Sequence, residues 1–306
     1  MIRAEGLIKR FDGFTALNGI NCDIPKGCVY GMVGSNGAGK STFLRLIAGV
    51  YQPDGGIITI DGEQVFENPR IKSRIAYIAD ETFFLPGANL ERMARFYASA
   101  YKSFDMPYFI NLADRFKLNT KKPINSFSKG MKRQAAAILA LCRRADYYLF
   151  DETFDGLDPI MRKTVRSLIC EQVSGYNATA VITSHSLREL EDTCDQLALL
   201  HRGGVVLQSD VEKLKTTLFK IQVAFNPAYG REKFEEFDIL NFKKNGSVIN
   251  LIVRGDKEQT INRLQQMKPV LMDVLPLTLE EVFTYEMAEL GYAFFDQMTS
   301  GEDNAV

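Results

Sequence analysis

Residues 34–41, GSNGAGKS, limit what this chain can fold into more than any other stretch. They complete the spacing GxxxxGK[ST] between an apolar run of strand length at 28–33 and an amphipathic segment that starts at Ser41 and ends near Gly49. That order predicts a strand, a tight loop and a helix. Gly34, Gly37 and Gly39 let the loop curl until successive backbone N–H groups, those of Ser35, Asn36 and Ala38 among them, face one anion. Lys40 is then placed to reach the β- and γ-phosphates of a nucleotide, and the Ser41 hydroxyl, with Thr42 beside it, to meet Mg²⁺. Average composition yields the four fixed positions by chance in roughly 1% of chains this long. The flanking strand and helix make chance rarer still, so the expected class is a P-loop nucleoside triphosphatase that binds ATP with Mg²⁺.

A phosphate loop of this kind needs acids to manage metal and water. About 110 residues further on, RRADYYLFDETFDGLDP offers them. The run 147–150 predicts a buried strand, Asp151 at its end is placed to hold Mg²⁺, and Glu152 next to it can polarise an attacking water. An acidic pair after an apolar strand is by itself as consistent with a helix N-cap as with a site. Its position downstream of the loop favours the site.

The 306 residues suit one large domain and one small, and 37 Lys and Arg against 38 Asp and Glu give no reason to expect nucleic acid as a partner. Residues 211–306 carry 11 basic and 15 acidic side chains, whereas residues 1–210 carry 26 and 23. That asymmetry fits a functional front and an appended acidic tail domain. The five cysteines are odd in number, lack a CxxC pair and read as reduced thiols. The N-terminus lacks the apolar core of a secretion signal and no eighteen apolar residues run together, so the chain is expected to be cytoplasmic and not to cross a membrane itself.

Between the loop and the acid strand lies SFSKGMKRQAAAILALC, residues 126–142. Ser128 and Gly130 open a helix whose start carries Lys129, Lys132 and Arg133, which makes that end attractive to an anion. Here the chain resembles the ATP-binding subunits of ABC transporters, whose signature Leu-Ser-Gly-Gly-Gln stands as Phe127-Ser128-Lys129-Gly130-Met131. The third and fifth positions depart from the pattern, while Ser128 and Gly130 are kept. The resemblance implies that this helix contacts the γ-phosphate of ATP bound by an opposing cassette, so that one chain carries two half-sites. It also implies that Asp158 in FDGLDP reaches across the dimer and that His185 in AVITSHSLREL touches the γ-phosphate. Phe11 stands where the family places an adenine-stacking aromatic, with Phe14 the competing ring and the core the alternative for either. Where the family has a glutamine, this chain has Asp80 in RIAYIADETFFLPG. Asp80 is expected to be a metal-side ligand that slows turnover, or else a cap of the following turn. Phe83 and Phe84 fall in the region that in the family receives a coupling helix of the membrane chain.

The pattern divides the chain into a nucleotide-binding cassette over 1–210 and an accessory or dimerisation domain over 211–295, with 296–306 expected to be disordered. The expected fold is α/β: a P-loop NTPase domain of ABC type with antiparallel β and helical subdomains, plus a small α+β, ferredoxin-like C-terminal domain. In the latter FKIQVAF, FDILNFKK, SVINLIVRG and VLMDVLP are strands, with helices in PAYGREKFEEF and DKEQTINRLQQM. Thr278 and Glu281 form a capping box ahead of a last helix. The resemblance, including the LTLEEVF ending, implies an ATP-hydrolysing subunit that dimerises on ATP with a second ATP-binding cassette, as homo- or heterodimer. It would drive a separately encoded transmembrane permease, in export, from the inner face of the cell membrane. The alternative is a regulatory or non-hydrolysing cassette in an asymmetric heterodimer. Asp80 and the altered signature favour that alternative; intact Lys40, Asp151, Glu152 and His185 oppose it.

Overall fold

The computed structural model describes residues 1–289, and the tail expected at 296–306 lies outside the described residues. Contacts divide the chain into two compact units, Met1–Gln208 and the residues from Ser209 onward.

In the first unit the elements run β1 (Ile2–Phe11), β2 (Phe14–Ile24), β3 (Val29–Val33), α1 (Lys40–Ile47), β4 (Gly55–Ile60), β5 (Glu63–Gln64), α2 (Pro69–Lys72), β6 (Ile75–Ile78), α3 (Leu90–Ala100), α4 (Met106–Arg115), α5 (Lys129–Leu141), β7 (Tyr147–Asp151), α6 (Pro159–Tyr176), β8 (Thr179–Ser184), α7 (Leu187–Glu191), β9 (Gln196–His201) and β10 (Gly204–Asp210). The segments VYGMV, YYLFD and TAVITS are buried at every position. Such runs suit the centre of a parallel sheet covered on both faces, where no side chain has a solvent side to alternate towards. The order observed is β10-β9-β3-β8-β7-β6, with β3 parallel to both β8 and β9, and β7 parallel to β8 and β6. Because only β8 separates β3 from β7, the loops leaving the carboxyl ends of all three strands converge, which is where open α/β sheets place their sites. Against this sheet α1 turns Phe43, Leu44, Leu46 and Ile47 inward, each burial contributing about 1.5–3 kcal/mol. β1 and β2 form a long antiparallel hairpin that continues through β4 to β5 as a second sheet, order β2-β1-β4-β5. The helices α3, α4 and α5 supply the helical subdomain.

The second unit follows as α8 (Val211–Thr217), β11 (Leu218–Ala224), β12 (Asp238–Asn245), β13 (Val248–Arg254), α9 (Lys257–Gln266), β14 (Leu271–Leu275) and α10 (Leu279–Glu289). Its sheet has the order β12-β13-β11-β14, antiparallel throughout, as in a ferredoxin-like split βαβ arrangement. The helix expected in PAYGREKFEEF is reduced to a single 3₁₀ turn, Arg231–Phe234. Pro227 lacks an N–H to donate, and the aromatic residues pull the connection flat onto the sheet: Phe234 is fully buried, and Tyr229 stacks on Phe225 at 4.4 Å. The capping box is present, with Thr278 N–H donating to Glu281 Oε2 at 2.9 Å and Glu281 N–H to Thr278 Oγ1 at 3.2 Å.

Candidate functional site

The loop between β3 and α1 has no room for side chains at two of its glycines, Gly34 and Gly39. A Cβ on Gly34 would collide with the Leu200 carbonyl, and one on Gly39, where φ is +108°, would sit 2.8 Å from the Ala16 carbonyl oxygen. Residues 36–42, Ala16, Phe14, Asp80 and Glu152 line a cleft of about 470 Å³. Lys40 is 4% exposed and folds back into its own loop, donating to the carbonyl oxygens of Gly34 at 2.7 Å and Ser35 at 3.3 Å. Its ammonium lies 3.2 Å from Glu152 Oε1.

At the end of β7, Asp151 is fully buried and accepts from Ser41 Oγ at 3.0 Å, Thr183 Oγ1 at 2.8 Å and Tyr77 OH at 3.4 Å. Burial raises its pKa, and the Thr183 and Ser41 hydrogen bonds offset only part of that rise. Glu152, the next residue, has φ +45°, a left-handed conformation that side chains rarely adopt. Both of its main-chain polar groups are held by side chains: the N–H donates to Thr183 Oγ1 at 3.0 Å, and the carbonyl accepts from Arg133 Nη1. This twist turns the carboxylate into the cleft. Burial pushes its pKa up, but Lys40 and His185 outweigh burial and leave it below the ordinary glutamate value. His185, just after β8, has Nδ1 3.3 Å from Glu152 Oε2 and 3.9 Å from Asp155 Oδ2.

The structure therefore brings Lys40, Ser41, Asp151, Glu152 and His185 together and sets Asp80 on the cleft wall. It does not place Asp80 as a turn cap; Asp80 Oδ1 accepts from Arg133 Nη2 at 2.7 Å. Of the two competing rings, Phe14, 63% exposed, lines the cleft. Phe11 is not among the lining residues and packs edge-on to Tyr51, centroids 5.3 Å apart, with Lys9 above it. Ser128 and Asp158 stand away from the cleft lining as helix N-caps. Ser128 Oγ accepts from Met131 N–H at 3.2 Å, and Asp158 Oδ1 from Ile160 and Met161 N–H at 3.0 and 2.9 Å. Gly130 lies close to the Asp158 turn, since a Cβ there would be 3.0 Å from the Gly156 carbonyl oxygen.

Sequence reasoning takes Arg133 for one of three cations at a helix start and misses its place: it is 3% exposed and bridges Asp80 to Glu152. It also misses Thr183, which parallel pairing of β7 with β8 puts opposite Asp151, and Asp155, one turn beyond Glu152. The run-plus-acid pattern could flag Thr183 once the two strands are known to be neighbours; nothing local flags Arg133.

A family model described as ABC transporter matches residues 17–155. The chain is 30% identical over 283 residues to the ABC transporter ATP-binding protein YtrB of Bacillus subtilis, across 92% of this chain and 97% of that one. It is 29% identical over 224 residues to the daunorubicin/doxorubicin resistance ATP-binding protein DrrA of Streptomyces peucetius, across 71% of this chain and 67% of that one. A solved structure of the ATP-binding subunit of an ABC transporter aligns with a TM-score of 0.64 at 26% identity, covering 70% of this chain and 92% of its own.

Proposed function

Because this chain belongs to the family of ABC transporter ATP-binding proteins, we propose that it hydrolyses ATP, pairs with a second cassette when ATP is bound, and so drives a separately encoded permease. The observation that carries hydrolysis is the contact of Lys40 with Glu152 at 3.2 Å, with His185 3.3 Å from the other carboxylate oxygen. A lysine held against a carboxylate in a phosphate-sized cleft can exchange that partner for the β- and γ-phosphates. Glu152 is then released as an ionised base beside the γ-phosphate, positioned to orient water and take its proton, while His185 steadies the phosphate.

Ser41 Oγ and Asp151 Oδ1, 3.0 Å apart, form an all-oxygen pair suited to a hard cation. The fit is supported by Asp151 itself, a buried carboxylate whose charged form burial disfavours and a cation would restore. When bound there, Mg²⁺ would neutralise phosphate charge as it develops. On the hairpin, Phe14 offers the adenine platform that the cleft reaches, with Phe11 behind it against Tyr51.

For the second cassette the support is the pair of exposed helix starts at Ser128 and Asp158, which the chain's own cleft does not use. For the permease it is family membership, together with a groove of about 370 Å³ lined by Tyr77, Phe83, Phe84, Tyr97, Tyr101 and Arg143. Phe83 there is 78% exposed, apolar surface of the kind a short partner helix covers. Among the described residues no helix is long and apolar enough to cross a membrane. The resistance named for DrrA and the LTLEEVF ending support export, with the cassette peripheral on the inner face of the cell membrane. The second unit is proposed as an accessory or dimerisation domain.

Steady-state ATPase assays test the hydrolytic reading. Glu152→Gln should bind ATP with affinity near that of the unaltered chain and lose turnover by ~10²- to 10⁴-fold. An unaltered chain that binds MgATP without turning it over would instead favour the regulatory cassette.

A further inference from the structure

We infer that Asp80 is a positioning residue that acts through Arg133, the two forming a latch that fixes the backbone of Glu152; this rests on the hydrolytic reading above. The starting point is the left-handed backbone of Glu152, a conformation that costs of order 1–3 kcal/mol and persists only where its surroundings enforce it. Two side chains do so, Thr183 at the N–H and Arg133 at the carbonyl, which also accepts from the Asp155 N–H at 3.2 Å. Thr183 is tied down in turn by Asp151 at 2.8 Å. Arg133 is tied down by Asp80 at 2.7 Å.

Arg133 is 3% exposed, and a guanidinium that deep needs acceptors for its donors. Among the described residues its hydrogen-bond acceptors are the Glu152 carbonyl and the Asp80 carboxylate, and the Asp155 carboxylate lies near enough to act on it through charge. Asp80 itself is 55% exposed at the cleft wall, so its oxygen is committed to Arg133 by pairing and not by confinement. The shared consequence is that a carboxylate near the phosphate cleft does not stand as an unpaired negative charge, and that one of the two hydrogen bonds on the Glu152 carbonyl is held by a residue two links away. Arg133 belongs to α5, within one turn of Gly130. The latch therefore also connects the helix that starts at Ser128 to Glu152 in one covalent and ionic chain.

The test is a double-mutant cycle in the full chain with Asp80→Ala, Arg133→Gln and the pair, plus Asp80→Asn, which keeps an acceptor oxygen. Asp80→Ala should lower kcat roughly threefold to tenfold, with the half-saturating Mg²⁺ concentration unchanged, and Asp80→Asn should recover most of the loss. In the Arg133→Gln background Asp80→Ala should cost nothing further. If Arg133→Gln does not fold, Arg133→Lys takes its place in the cycle. Multiplying effects, or a raised Mg²⁺ requirement in Asp80→Ala, would overturn the latch in favour of a metal ligand. Hydrogen exchange of residues 152–157 without nucleotide separates this idea from the ATPase reading. Faster exchange in Asp80→Ala that Asp80→Asn restores supports the latch even if the chain proves inactive; unchanged exchange rejects it even if the chain hydrolyses ATP.

Discussion

Within the cleft the working side chains bond across elements: Lys40 of α1 to Glu152, Ser41 of α1 to Asp151 of β7, Thr183 of β8 to both Asp151 and the Glu152 backbone. At the starts of α5 and α6, the side chains of Ser128 and Asp158 bond, among the described residues, only the first amides of their own helices. Both regions carry side chains of the same chemical kind, hydroxyls and carboxylates. The difference is that the cleft side chains are committed to one another, whereas Ser128 and Asp158 lie exposed at their helix starts, as the proposed site shared with a second cassette requires.

The sharpest way to break that contrast is to change the charge at a cap while preserving the cap. Ser128→Asp remains a good N-cap for Met131, so stability should hold within about 0.5 kcal/mol. A carboxylate placed where a γ-phosphate is expected should nevertheless depress ATPase kcat by at least ~10²-fold, with ATP affinity retained. Unchanged turnover in that variant would reduce Ser128 to a helix cap. Asp158 can be split in the same manner. Asp158→Asn keeps the cap, whereas Asp158→Ala should lose about 1 kcal/mol in denaturant titration; a fall in kcat for Asn without that loss points outside the chain.

Smaller effects sharpen the cleft side. Phe14→Ala should weaken ATP binding roughly threefold to tenfold, measured by displacement of a fluorescent nucleotide, with a smaller loss for Phe11→Ala. The reverse order would mean that the hairpin closes on adenine through Phe11. Smallest for turnover is the opposite end of β7, where Tyr147 and three cations, the N-terminal ammonium, Lys26 and Arg74, surround Asp61 at 2.7–2.9 Å. Burial alone would raise the Asp61 pKa, but these donors outweigh it and hold the carboxyl below its ordinary value. Its contribution to stability is therefore present at neutral pH and lost as pH falls through the depressed value. Asp61→Asn should cost about 1–2 kcal/mol at pH 7 by denaturant titration, a gap that closes in acid, with ATPase unaffected.

How much of this is legible in the sequence depends on whether a feature is local. The loop at 34–41 and the strand ending in Asp151 are contiguous, and their flanking apolar runs announce parallel strands, so the sheet and the phosphate cleft follow from spacing. The strands of the second unit are legible for the same reason. The connection between its first two strands is not, because PAYGREKFEEF has a helix-like polar pattern while Phe234 and Tyr229 are spent on the sheet. Arg133 is hidden for a related reason. Its neighbour Lys129 is exposed and Lys132 half-buried, and only the folded approach of α5 to residue 80 distinguishes a buried bridging guanidinium from a third surface cation. The choice between Phe11 and Phe14 is hidden by symmetry, since the two stand directly opposite in the hairpin register.

That the chain carries two half-sites, a phosphate cleft and a pair of helix starts that complete the cleft of a second cassette, is checked by the molar mass of purified Glu152→Gln in light scattering, with and without MgATP. The account predicts a monomer that becomes a dimer only with ATP. A protein that binds ATP and stays monomeric across the accessible concentration range would contradict it.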